Sequence, residues 1–150
     1  MQQGMIMRKI LAVGLILMTL GGCATVPMAS NEEDAKAKEF ATPPDGKSGL
    51  YIFRDSFVGK ALKKTIRVDE QIIGESAPDV YFYRVIDAGK HVISTESEFS
   101  PNDLIIKTEP KKNYFVENYI KMGVFVGGAE LEEVSESEGM TRVSKLKLAK

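Results

Sequence analysis

The sequence contains little of several residue types on which common protein classes depend. Among its 150 residues are one Cys, one His and no Trp, and the formal net charge is -1. Disulfide-stabilised secreted proteins need paired cysteines, structural zinc sites draw on Cys and His, and nucleic-acid-binding domains usually carry a basic excess. The sequence therefore argues against a disulfide scaffold, a protein-built metal site and a nucleic-acid partner, and it predicts no cofactor.

What is present is enough apolar sequence for one folded domain. Hydrophobic residues make up 43% of the chain and charged residues 27%, whereas disordered chains are poorer in apolar residues. The length suits a single domain, since domains commonly have roughly 100 to 200 residues. The apolar residues are unevenly distributed, because a dense run of them precedes residue 23.

That run has the layout of a secretory signal peptide. Arg8 and Lys9 precede Ile10 to Leu20, which is almost wholly apolar, and small residues follow it. An apolar run of about a dozen residues is shorter than the ~20 that a membrane-spanning helix needs. Residues 1–22 are therefore predicted to be a leader that is removed.

The leader ends in a motif that resembles the lipobox of bacterial lipoproteins, Leu20-Gly21-Gly22-Cys23. The resemblance implies cleavage between Gly22 and Cys23, attachment of a diacylglycerol group to the Cys23 sulfur, and acylation of the new amino terminus, for example with palmitate. A thiolate is the nucleophile that this chemistry needs, and small side chains let a peptidase approach the backbone. The alternative is that Cys23 is a buried free cysteine.

Lipidation would fix where the protein acts. Two or more acyl chains hold a protein stably on a membrane. In lipoproteins, Asp directly after the lipidated cysteine resembles an inner-membrane retention signal, whereas this chain has Ala24 at that position. The expected location is the bacterial cell envelope, on the periplasmic face of the outer membrane.

Residues 23–46 are predicted to connect the lipid to a folded domain at residues 47–150. The first few of them have the composition of a tether. A capping box formed by Ser30 and Glu33 then predicts a short helix that extends towards Phe40. Because prolines and a glycine follow this helix, the folded domain is expected to begin near residue 47.

Short runs of β-branched and aromatic residues, separated by turn signals, fill the domain. This spacing, without helical periodicity, favours a mainly β fold, a small antiparallel β-sandwich of about seven strands. Asp87 to Lys90 carries a hairpin signal, Glu130 to Val134 is expected to add an edge strand, and Ser135 is expected to cap a C-terminal helix. The seven predicted strands are Leu50–Arg54, Lys64–Val68, Gln71–Gly74, Tyr81–Ile86, His91–Glu96, Leu104–Lys107 and Tyr114–Lys121.

Two stretches of the domain resemble known families. Residues 38–54, KEFATPPDGKSGLYIFR, resemble the opening of a family of uncharacterised bacterial lipoproteins with a domain of unknown function. Residues 68–93 are similar to PEGA-like β-sandwich modules at VDEQIIG, YF and AGKHVI, with Glu70 and Ala88 in place of the usual Gly and Pro. Both resemblances imply an Ig-like or PEGA-like sandwich, and neither implies a catalytic residue.

Few residues suggest catalysis. His91 follows the turn at Gly89, where its ring is expected to hydrogen-bond across the hairpin rather than act as a base. Glu96, Glu98 and Asp103 cluster around one loop, and paired carboxylates of this kind bind hard cations or hydrolyse glycosides. The alternative for these three residues is a solvated loop.

Lysines are concentrated in one segment, where Lys60, Lys63 and Lys64 form a basic patch with Arg67. Two interpretations are open. The patch either faces anionic lipid or cell wall, or it is a solvated edge strand on which lysines block pairing with other chains.

Residues 123–128 place Val124, Phe125 and Val126 between glycines. This stretch is either an apolar loop that contacts a membrane or a partner, or a short core strand. A similar choice, between an aromatic ligand-binding face and core packing, applies to the tyrosines on predicted strands: Tyr51, Tyr81, Tyr83, Tyr114 and Tyr119.

The function favoured by these patterns is a non-catalytic binding or accessory module, attached to an envelope membrane by lipid on Cys23. Its partner would be an envelope protein or a cell-wall component. One alternative is an envelope hydrolase that uses Glu96, Glu98 and Asp103. A second is a structural subunit of an envelope complex, with residues 123–128 as its contact patch.

Overall fold

The computed structural model describes residues 25–97, 101–122 and 127–150. Within these ranges the chain forms nine strands and two short helices. In chain order they are α1 (Asn31–Ala37), β1 (Lys47–Arg54), β2 (Lys64–Val68), β3 (Gln71–Ser76), β4 (Val80–Asp87), β5 (Gly89–Glu96), β6 (Pro101–Thr108), β7 (Asn113–Met122), β8 (Gly127–Val134), α2 (Glu136–Val143) and β9 (Lys147–Leu148).

The strands form the two layers of a small β-sandwich, as the sequence predicts. One sheet has the order β8-β7-β1-β4-β9, and the other has the order β3-β2-β5-β6. The sandwich is not purely antiparallel, because β1 pairs with β7 and β4 pairs with β9 in parallel. Parallel neighbours need a long connection, and the chain between β1 and β7 supplies one by building the four-stranded sheet.

All seven predicted strands are present, and the predicted edge strand is β8. Alternation of polar and apolar residues located them because it follows directly from the two-residue period of a strand. β9 was not predicted. A strand of two residues is too short to carry a pattern, and it forms because the adjacent edge of β4 accepts it.

The predicted hairpin at Asp87 to Lys90 is wrong. β4 pairs with β1 and β9, whereas β5 pairs with β2 and β6, so the chain passes from one sheet to the other between them. Gly89 has a φ of 150°, a backbone angle that residues other than glycine rarely adopt. A hairpin and a corner of a sandwich both need such a bend, and only the pairing partners distinguish them.

A true hairpin turn connects β2 to β3. Val68 pairs with Gln71, and the two residues between them, Asp69 and Glu70, have φ values of 48° and 69°. Positive φ at both central positions defines a type I′ turn, which matches the twist of antiparallel strands. Glu70, which replaces the glycine of the resembled turn, therefore holds a left-handed backbone without the freedom of glycine.

The core lies between the sheets, and a second apolar cluster lies on the outer face of the five-stranded sheet. The first cluster includes Leu50, Ile52 and Phe82. In the second, side chains from α1 and α2 cover the rings of four strand residues, Tyr51, Phe53, Tyr81 and Phe115. α2 approaches so closely at Gly139 that a Cβ there would meet the ring of Phe115.

The expectation of a free tether followed by a domain that begins near Lys47 needs correction. Met28 forms a β-bridge with Ala149, and Ala37 is buried in the outer cluster. The capping box of Ser30 and Glu33 is present as predicted. The packed unit therefore starts well before residue 47, because the outer face of the sheet is apolar and needs α1 to cover it.

Replacing Glu70 with glycine is expected to stabilise the protein by about 1 kcal/mol, since a left-handed conformation costs a non-glycine residue roughly 1–2 kcal/mol and glycine loses part of this gain in chain entropy. Urea unfolding of Glu70→Gly measures the difference. The matched control is Glu75→Gly in β3, where extended backbone makes glycine unfavourable. Equal losses of stability in both variants would contradict the type I′ assignment.

Candidate functional site

A groove with a mainly apolar lining and a volume of about 550 Å³ lies on the outer side of the five-stranded sheet. Tyr51 and Tyr83 lie side by side on β1 and β4, with ring centroids 4.5 Å apart and planes inclined by 26°. Tyr51 is buried, and Tyr83 is half-buried. The remaining walls come from α1, the segment after it and the C-terminal residues Ala149 and Lys150.

Asp34 joins α1 to the C-terminal strand and so positions two walls of the groove. Its carboxylate accepts hydrogen bonds from Tyr81 Oη at 2.9 Å, the Leu148 amide at 3.0 Å and Lys38 Nζ at 2.9 Å. Burial alone raises the pKa of Asp34, but these donors lower the pKa by more, so it ends below its ordinary value. Asp34 is therefore an ionised, fully engaged carboxylate.

The chain after α1 is fixed against β7. The side-chain amide of Asn113 donates to the carbonyl oxygens of Phe40 and Ala41 at 3.1 and 3.3 Å. The ring of Phe40, which has a φ of 48°, packs on Tyr51 at 5.4 Å between centroids. These contacts fix α1 and the segment after it beside the tyrosines, and the groove stays open as a result.

The groove has an aromatic floor and a charged rim. Burial raises the pKa of Tyr51 far above its ordinary value, with the adjacent phenol of Tyr83 adding to the effect, and burial also raises the pKa of Tyr83. Both phenols are therefore neutral, and the hydroxyl of Tyr51 donates to the carbonyl oxygen of Ala37 at 2.8 Å. The rim carries both signs of charge, on Glu33, Lys36, Glu39, Arg84 and Lys150.

This arrangement suits the binding of a ligand. Ligand sites commonly have volumes of about 300–1,000 Å³, an apolar lining and a few polar groups. The lining of the groove combines alanine, leucine and tyrosine side chains with the carboxylates and basic groups of the rim. An amphipathic molecule that stacks on Tyr83 and pairs with rim charges would fit these features.

His91 lies outside the groove, in a polar clamp at the end of β4. Its Nδ1 lies 2.6 Å from an oxygen of Asp69, and its Nε2 lies 2.7 Å from the carbonyl oxygen of Asp87. The second oxygen of Asp69 accepts from the amide of Val92 at 3.0 Å. The ring of His91 is hydrogen-bonded as predicted, but its partners are the end of β4 and the turn between β2 and β3, since β4 and β5 form no hairpin.

Both ring nitrogens of His91 face acceptors, which favours the doubly protonated ring. Burial by itself lowers the pKa of His91, but hydrogen bonds to Asp69 and Asp87 raise the pKa by more, so it ends above its ordinary value. For Asp69, burial raises the pKa and the bond to His91 lowers it below its ordinary value. The pair therefore stays ionic to a higher pH than a free histidine would.

Only two of the three residues in the predicted carboxylate cluster lie within the described ranges. Glu96 lies at the end of β5 and Asp103 lies on β6, and both side chains are exposed. Glu98 lies outside the described residues. Among the residues that are described, no group of three or more His, Cys, Asp and Glu side chains is placed to hold a metal ion.

Several predicted contact residues also lie outside the described ranges. They are Gly22 and Cys23 at the leader junction and Val124, Phe125 and Val126 between β7 and β8. In the portion of the chain that the structure describes, no helix has the length and apolar character to cross a membrane.

Sequence reasoning found the tyrosines but not the groove. It left Tyr51, Tyr81 and Tyr83 between ligand binding and core packing, and the structure places the first two in the buried outer cluster. The alternation of Tyr51 with Ile52 signals two differently covered faces of β1. Asp34 and the C-terminal residues carried no signal, because their role depends on contacts between the two ends of the chain.

The clamp formed by His91, Asp69 and Asp87 predicts that the free energy of unfolding decreases at alkaline pH. The raised pKa of His91 means that its contribution is complete below about pH 6.5 and is lost as the pH rises through the folded-state pKa. We expect this loss to be about 1 kcal/mol, the low range for a charged hydrogen bond because Asp69 is half exposed. Urea unfolding at about pH 6 and about pH 9 checks it.

The variant His91→Gln should remove most of this pH dependence, and Asp69→Asn should reduce it. Asp103→Asn, on the outward face of β6, is the control and should retain it. A pH dependence that His91→Gln leaves intact would rule out the clamp as its source.

Comparisons with known proteins agree with the domain resemblance and add no activity. The model of a family described as "Protein of unknown function (DUF2846)" matches residues 44–129. An uncharacterised protein of Haemophilus influenzae is 63% identical over 137 residues, which cover 91% of this chain and 81% of that protein. No solved structure matches the chain. The protein therefore belongs to the DUF2846 family of proteins of unknown function.

Proposed function

We propose that the protein is a bacterial lipoprotein, anchored by lipid on Cys23 to the periplasmic face of the outer membrane, and that it serves there as a non-catalytic binding module. The observation that carries the anchor is the motif Leu20-Gly21-Gly22-Cys23 directly after the apolar run Ile10–Leu20. A basic start, an apolar run too short to span and a terminal cysteine together form a lipoprotein leader.

The packing of the first described residues supports a short connection to the membrane. Val26 packs against the core between the sheets, and the carbonyl oxygen of Pro27 accepts from the amide of Lys150 at 2.9 Å. Ala24 and Thr25 are thus the residues between Cys23 and the packed body, a reach of about 10 Å for extended chain. The anchor would hold the sandwich close to the lipid surface.

The groove supports the binding role. It combines a stacked tyrosine floor with a rim of both charge signs, and its walls are the parts of the chain nearest the proposed anchor, α1 and the residues beside Ala29. Its neutral phenols and mainly apolar floor suit the recognition of a ligand. The ligand class that matches is an amphipathic molecule or peptide with an apolar group for Tyr83 and charges for the rim.

Cells that express the protein should incorporate an alkyne-bearing fatty acid into the wild-type chain and not into Cys23→Ala. The reason is that the thioether and the new amino terminus both form at this residue. In-gel fluorescence after coupling of a dye measures the label, and Ala24→Ser serves as a control that keeps it. Equal labelling of Cys23→Ala and wild type would contradict the anchor.

Filling the groove should remove its ligand contact. A benzophenone amino acid at Tyr83 is expected to cross-link the groove's ligand in cells, and the added Ala41→Trp should abolish this adduct because Ala41 lines the groove. The matched control is Ala35→Trp, an exposed alanine of α1 that does not line it. Adducts that survive Ala41→Trp, or that vanish equally in both variants, would contradict the binding site.

A further inference from the structure

One end of the sandwich carries exposed apolar side chains that the packing of the domain does not use. Phe57 is 63% exposed and Val58 is 48% exposed in the loop after β1, and Met122 is 78% exposed at the end of β7. Scattered exposed apolar residues are common on soluble proteins, whereas a group of them marks an interaction surface. These three belong to segments about sixty residues apart in sequence, and the fold places the segments together.

Close packing holds the loop against the β7–β8 end. A Cβ on Gly59 would lie 2.9 Å from a methyl group of Ile120, and a Cβ on Gly127 would lie 2.7 Å from a methyl group of Leu62. Loop and hairpin are thus in direct contact at two points. The exposed side chains of Phe57, Val58 and Met122 therefore share one end of the molecule.

A buried arginine makes the loop rigid. Arg54 is 0% exposed, and its guanidinium donates to the carbonyl oxygens of Val58, Gly59 and Leu62 at 3.0, 2.8 and 2.8 Å. Asp55 is fixed as well, because Arg142 of α2 binds both of its oxygens at 2.7 Å. The backbone at Phe57 is consequently fixed in a position where its side chain is exposed and does not pack on the core.

Lysines follow the exposed side chains of the loop, with Lys60 within it and Lys64 at the start of β2. Among the described residues, Lys60 and Lys64 have no carboxylate within the 4.0 Å of an ion pair, whereas Lys63 lies 3.7 Å from Glu75. Apolar side chains flanked by lysines suit the interface of an anionic bilayer, where the apolar groups enter the acyl boundary and the ammonium groups meet phosphates. An acidic soluble protein would satisfy the lysines but would have less use for the exposed Phe, Val and Met.

We propose that this end of the sandwich, the apolar tip formed by Phe57, Val58, Lys60, Lys64 and Met122, docks on an anionic phospholipid bilayer. The contact is additional to the lipid on Cys23. Because two or more acyl chains would already hold the protein on the membrane, the added contact would orient the domain.

The two contacts together would fix the orientation of the domain. β9 runs parallel to β4 from Val80 towards Tyr81, away from the apolar tip, and the segment before α1 runs antiparallel to β9. Traced backwards from Met28, the described segment therefore runs away from the tip. For both contacts to reach one bilayer, the strands must lie along the membrane surface rather than stand upright on it.

The absence of tryptophan from the chain makes the test direct. Phe57→Trp introduces a single tryptophan at the tip, and Ile105→Trp, at a site 60% exposed on β6, is the matched control. Each full-length protein is purified from membranes and placed in vesicles of phosphatidylethanolamine and phosphatidylglycerol, with and without brominated acyl chains. We expect the Phe57→Trp emission to shift to the blue and to be quenched, and the Ile105→Trp emission to stay at the wavelength of exposed tryptophan.

Charge is tested in the same background. Adding Lys60→Glu and Lys64→Glu to Phe57→Trp, or using phosphatidylcholine vesicles, should bring the quenching down to the level of the Ile105→Trp control. All four substituted side chains are at least partly exposed, so urea unfolding should show little change. Absence of quenching in Phe57→Trp, equal quenching in both tryptophan variants, or quenching that survives the charge reversal would each overturn the proposal.

The mass of the N-terminal peptide, measured on the same preparation, reports separately on Cys23. A peptide without lipid would refute the proposed anchor, and the quenching result would still decide the docking of the tip, because the vesicles are supplied to the full chain.

Discussion

The carboxylate of Asp34 is the interaction on which the groove depends. A helix of seven residues is not stable by itself in water, and α1 persists because Asp34 binds donors from α1, β4 and β9 at once. Loss of the carboxylate would leave the buried Leu148 amide without its acceptor, at about 1–3 kcal/mol. Lys38 and Tyr81 would keep only the carbonyl oxygens of Leu146 and Asp34 as acceptors. The two ends of the chain and the groove between them therefore form one cooperative unit.

The rest of the sandwich uses the same device at both of its ends. The mature chain would have no disulfide, and its longer connections are fixed by buried polar groups instead. Arg54 binds three carbonyl oxygens of the loop after β1, and His91 binds Asp69 and Asp87 where β4 passes to β5. Each residue also fixes part of the protein surface. Arg54 fixes the loop that carries the apolar tip, and His91 fixes the turn between β2 and β3.

Local patterns predicted most of the fold and little of the site. The strands and the cap of α1 were found because residue alternation and a Ser30–Glu33 box act within a few residues. The turn at Asp87 to Lys90 was misassigned because a bend at Gly89 fits a hairpin and a corner equally well, and the choice lies in the pairing of β5 with β2. The tether was misassigned because composition does not reveal that Ala149 pairs with Met28.

The sequence by itself determined the chemistry that each residue can offer: an apolar run that ends at a cysteine, strands of tyrosine and branched residues, and lysines near a phenylalanine. The tertiary structure decided which of these residues meet. Tyr51 and Tyr83 became the floor of a groove only when α1 and the C-terminal residues closed around them, and Phe57 and Met122 joined at one end only through the packing of Gly59 on Ile120. The physical reason is that these contacts join residues far apart in the chain, and their energy comes from burial and hydrogen bonds that no local pattern encodes.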